Sequence, residues 1–138
     1  MRNFSLLFVL IVTLSFTDLN AQSSTEKKED YKVKLFSDDE YANLHMWFYN
    51  QVQQMKLSER ADDEYGSYLS MHVSRMMRLD DKDKGYSKST IIQKYNEIFN
   101  NLNKDVKPVL NEEQFRQHLE IMSVLSKAIF NKLDQKMD

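Results

Sequence analysis

Residues 110–133 read LNEEQFRQHLEIMSVLSKAIFNKL, and this stretch decides the fold. Asn111 can cap a helix, Gln114 can reach back to the cap's own amide, and Leu110 can staple onto Phe115 across the first turn. The cap hydrogen bond is worth about 1 kcal/mol, but its larger effect is to fix the angle at which the chain enters the helix after Pro108. Phe115, Leu119, Met122, Leu125, Ile129 and Leu133 then recur at three- and four-residue steps, which predicts a helix from about Glu112 to Lys136. Ile121, Val124 and Phe130 widen the stripe. A face that broad predicts burial on more than one side, by several helices or by a second subunit.

Three more helices precede this one. Ser37 and Glu40 form a capping box ahead of Tyr41, Leu44, Phe48, Val52 and Met55, with Phe36 and Tyr41 as the staple. Lys56-Leu57-Ser58 is a short break, and Ser58 can cap a second helix with its stripe at Tyr65, Leu69, His72, Met76 and Leu79. The polar run Asp80–Gly85 stops it, with Gly85 free to take a left-handed turn. Ser87 opens a third helix carrying Ile91, Ile92, Tyr95, Ile98, Phe99 and Leu102. Pro108 ends it and disfavours helical geometry at Lys107. The expected fold is all-α, with four amphipathic helices in two helical hairpins and one domain over residues 37–136.

The composition narrows the class. With 138 residues, 19 Lys+Arg against 21 Asp+Glu and a formal charge of −2, the chain lacks the basic excess of a nucleic-acid binder. Two glycines and one proline leave few turns for a hairpin-rich sheet protein, and the absence of cysteine excludes disulfides and thiolate chemistry. Residues 1–21 read as a secretory signal: Arg2 leads an apolar run from Leu6 to Phe16, and Ala21 gives the small residue at the cut. The run is too short to span a bilayer comfortably, so no stable membrane insertion is expected after cleavage. A cysteine-free exported helical chain fits the bacterial periplasm. Residues 22–36 read as a flexible polar leader with little to bury.

Leu110-Asn111-Glu112-Glu113-Gln114 resembles the LTxxQ signature of the Spy/CpxP-type periplasmic proteins, with Asn111 in the threonine position. Leu57-Ser58-Glu59-Arg60-Ala61 is similar to a second, degraded copy 53 residues earlier; Ser58 can still cap there, but Ala61 replaces the glutamine. The resemblance covers Leu57 to Leu133. It implies an all-helical, often dimeric, cradle-like envelope protein; some members are ATP-independent chaperones, while others modulate stress-sensing kinases or respond to metals. Ala61 leaves the role of the first copy open. The acidic balance departs from members with a basic concave face and leaves the client class open.

Other side chains have plainer readings. The carboxylates at Asp38/Asp39/Glu40, Asp62/Asp63/Glu64 and Glu112/Glu113 sit in first helical turns, where the helix dipole accounts for them without catalysis. His45, His72 and His118 form no local metal motif, although each lies on a different expected helix. Trp47, Tyr68 and Met77 lie beside the packing stripes and are the candidate partner-binding residues, because an adaptable apolar surface suits varied partners. The expectation is therefore a non-enzymatic, cofactor-free homodimer that binds unfolded or partner polypeptide. The rival reading is a regulatory accessory docking on one membrane-bound envelope partner.

Overall fold

A computed structural model describes residues 32–137. The expected signal peptide, its cut at Ala21 and most of the leader lie outside the described residues. The described part is all-α: α1 (Asp38–Gln54), α2 (Glu59–Met76), α3 (Lys88–Val106) and α4 (Glu112–Met137), with no strand among the described residues. No helix there is long and apolar enough to cross a membrane.

Each helix starts on a side-chain cap. The Ser37 hydroxyl accepts from the Glu40 amide at 3.2 Å while the Glu40 carboxylate accepts from the Ser37 amide at 2.9 Å, completing the box. Ser58 accepts from the Ala61 amide at 3.3 Å and Ser87 from the Thr90 amide at 3.2 Å. A methyl side chain at Ala61 cannot return the bond, so the α2 cap is one-sided. At α4 the box is reciprocal again: Asn111 Oδ1 accepts from the Gln114 amide at 2.8 Å, and Gln114 Oε1 accepts from the Asn111 amide at 3.1 Å.

The helices pack in the order α2–α3–α4–α1. The α3–α4 pair is an antiparallel hairpin whose rungs descend one helix as they climb the other: Lys88 to Asp134 at 2.8 Å, Tyr95 to Ser126 at 2.8 Å and Asn103 to His118 at 2.9 Å. α1 runs antiparallel to α4, tied at one end by Lys132 to Glu40 and at the other by the Gln114 amide to the Met55 carbonyl at 3.2 Å. The first helix thus closes on the last rather than on its sequence neighbour. α4 packs on α3 on one side and α1 on the other, which covers part of its broad apolar face. Phe48, Val52, Met55, Tyr65, Leu69, Leu102, Val106, Leu110, Ile121 and Met122 form the core where these elements meet. The last leader residues join the bundle too, because the Lys136 amine donates to the Lys34 carbonyl.

Three local readings are corrected. Leu119, placed in the α4 stripe, is 37% exposed, and Val124 is exposed as well. The buried face turns through His118, Ile121, Met122 and Leu133 instead, and Leu119 sits one helical step past its edge. Lys107 adopts right-handed helical geometry (φ −55°, ψ −42°) despite Pro108, and its amide still bonds Asn103. Proline disfavours that geometry in its predecessor without forbidding it, and the amides of Val109 and Leu110 turn back to the Val106 carbonyl to close the corner. Leu79 lies beyond the end of α2, which finishes at Met76. Gly85 takes the left-handed turn, with φ +59°.

Candidate partner-binding surface

The segments Leu57–Ala61 and Leu110–Gln114 meet. Leu57 packs against the core that contains Leu110, and Gln114 crosses from the later segment to the carbonyl of Met55, two residues before the earlier one. Lys56 bridges the gap in left-handed geometry (φ +52°). That conformation is unusual for a side chain other than glycine or asparagine and costs on the order of 1 kcal/mol. Further along each helix, Tyr65 and His118 stand eight residues after Leu57 and Leu110 respectively and bond at 2.9 Å, 53 residues apart.

His118 is a hub. Its Nε2 faces Asn103 Oδ1, an acceptor only, so Nε2 carries the proton and donates. Nδ1 then accepts from the Tyr65 hydroxyl. The Tyr65 ring meets His118 edge-on at 5.6 Å, and Phe115 stacks on the other side at 5.9 Å. With no solvent-accessible surface of its own, the imidazole is held neutral: burial pushes its pKa down to about 4. Burial likewise raises the Tyr65 hydroxyl. This pair is sealed from solvent and joins α2 to α4 across the core. His72, also buried, goes to Asp105 at 2.7 Å, and His45 stays on α1. The three histidines therefore do not converge, and among the described residues no three His, Asp or Glu side chains gather to hold a metal.

The residues expected to bind partners are spread apart. Trp47 on α1 and Tyr68 on α2 are half-buried and packed against the core. Met77 caps the C-terminal end of α2 at 48% exposure. Nine residues separate it from Tyr68, which puts the two half a turn out of phase on a helix. They form no single patch.

A more coherent surface lies on α1, and sequence reasoning passed over it. Tyr41 to Met55 contains no Asp, Glu, Lys or Arg, in a chain that is 29% charged. Its outward residues Asn43, Met46, Asn50 and Gln53 follow helical spacing along one exposed face. Met46 at its centre is 57% exposed, more than any other large apolar side chain described. The half-buried rings of His45, Trp47 and Tyr49 flank it. Loss of charge together with aromatic and methionine enrichment is what separates the centre of an interface from ordinary surface. The signal was present as a gap in the charge pattern, whereas attention to apolar stripes picked out the buried side of the same helix. No family model, no curated protein and no solved structure matches this chain.

Proposed function

We propose that the protein is an exported, periplasmic helical binding protein that holds unfolded or partner polypeptide without cofactor, nucleotide or turnover, in the manner of the Spy/CpxP-type proteins. The observation that carries the reading is the charge-free outer face of α1 with Met46 exposed at its centre. Amide side chains can bond any backbone, and methionine adapts its shape to varied apolar groups. Such contacts are individually weak, so clients can be exchanged. The meeting of the two motif copies at the α1–α2 and α3–α4 corners, with Gln114 clasping α1, supports a scaffold built to hold that face at a fixed angle. The same reading includes a homodimer, checked by sedimentation of the mature protein at micromolar concentration.

The functional test is light scattering from two unrelated aggregating proteins, with no nucleotide present. Suppression of both supports a general binder. Suppression of neither, combined with capture of one saturable envelope partner, replaces it with the single-partner regulator.

A further inference from the structure

A second feature lies on the far side of the bundle from the motif corners and is independent of the polypeptide-binding reading. Where the end of α2 and the connection after it run beside α3, they line an open groove of about 400 Å³. That volume falls within the range of small-molecule sites. Leu79, Tyr86 and Ile98 are half-buried and give it largely apolar walls. Its rim is cationic: Arg75, Arg78, Lys84 and Lys94 stand against the single carboxylate of Glu97.

The charges are not equivalent. Arg78 is held by the buried carboxylate of Asp81, and Lys84 lies 3.9 Å from Asp83. Glu97 accepts from Gln93 at 3.1 Å. Among the described residues no carboxylate pairs with Arg75 or Lys94; the Lys94 amine instead rests over the Tyr86 ring, 5.1 Å from its centroid. Arg75 and Lys94 therefore stand at the mouth of an apolar-walled groove outside any ion pair among the described residues, and the four cations of its lining outnumber the one carboxylate, Glu97, in a chain whose overall charge is negative.

We infer that this groove binds a small anionic amphiphile, a single short alkyl chain with a carboxylate or phosphate head. The chain lies on Leu79, Tyr86 and Ile98, and the head sits between Arg75 and Lys94. A bare anion leaves the apolar walls wet, and a neutral chain leaves the excess of cations over the single Glu97 carboxylate unanswered, so both parts of the ligand are required.

The experiment titrates the full mature protein with dodecanoate and with dodecyl phosphate, each below its micelle-forming concentration, by calorimetry and amide NMR shifts. Dodecyl maltoside and inorganic phosphate are the comparisons. The expected result is an affinity at least tenfold above both comparisons for one or both anionic probes, the stronger head identifying carboxylate or phosphate as the source. Shifts should centre on residues 74–79, 86 and 94–98. The double variant R75E/K94E should lose at least tenfold in affinity and R75K/K94R should retain it, with both keeping the wild-type helical signal. Equal binding of the maltoside, equal binding of inorganic phosphate, unchanged affinity in R75E/K94E, or shifts centred on Met46 or Leu119 would each overturn the inference.

Discussion

The side-chain amide of Gln114 donates to the backbone carbonyl of Met55 at 3.2 Å across 59 positions of sequence. The same side chain, through Oε1, completes the cap of its own helix. One residue thus sets how α4 begins and where α1 ends. Met55 is the C-cap of α1, where carbonyls lack intrahelical partners, so the donated bond satisfies a group the helix cannot.

The two roles separate by substitution. Gln114→Ala removes both and should cost about 1–2 kcal/mol. Gln114→Glu keeps the acceptor for Asn111 but loses the donor to Met55, and should cost about half as much. Asn111→Ala combined with Gln114→Ala should be less than additive, since both serve one cap. Urea melts of wild type, Gln114→Ala, Gln114→Glu, Asn111→Ala and the double variant check this, and full additivity would mean that the box is not formed.

His118 predicts an acid-sensitive fold. Its folded pKa of about 4 lies below the unfolded value of about 6.5. The unfolded chain therefore takes up the proton first, and stability falls as pH drops below about 6.5, levelling off below about 4. Between pH 7 and pH 5 the loss from this group is about 2 kcal/mol. His118→Gln should flatten that part of the stability profile even if it lowers the plateau at pH 7. Urea midpoints at both pH values for wild type and variant give the difference directly.

The Leu119 correction carries its own test. An exposed leucine at the edge of the buried face should tolerate serine at a cost under about 1 kcal/mol. Met122→Ala, one turn on and fully buried, should cost about 2–5 kcal/mol. Thermal melts in the reverse order would place the α4 face wrongly.

Lys56 makes a further prediction. Its left-handed geometry follows a helix C-cap, where glycine is the usual occupant. Lys56→Gly relieves that strain and should leave stability unchanged or raise it by up to about 1 kcal/mol, the gain being limited by the greater freedom of glycine in the unfolded chain. A loss of more than 1 kcal/mol in the same urea melts would show that the lysine side chain itself holds the corner.

Helix number, order and caps were legible because each rests on residues within five positions of one another, as Ser37 with Glu40 and Asn111 with Gln114 do. The partners of buried polar groups were not. Nothing local to His118 tells of Tyr65 or Asn103, and Asp81 reads as part of a solvated stop signal although it is buried against Arg78. The left-handed turn at Lys56 was hidden because lysine carries no turn signal. The pairing of α1 with α4 depends on the corner that turn makes. Trp47 and Tyr68 lie beside the apolar stripes in sequence, yet both contribute to the core, so replacing them with serine would cost stability as well as any binding.

The claim that α1 presents a polypeptide-binding face is tested most directly by one comparison. Met46→Glu places a single charge at the centre of a face that has none, on a side chain that is already 57% exposed. Wild type should suppress light scattering from two unrelated unfolded proteins at stoichiometric ratio without nucleotide. Met46→Glu should lose most of that suppression while its melting temperature stays within about 2 °C, the size of shift expected for an exposed substitution. A wild type that suppresses neither client, or a variant that suppresses both as well as wild type, would contradict the account.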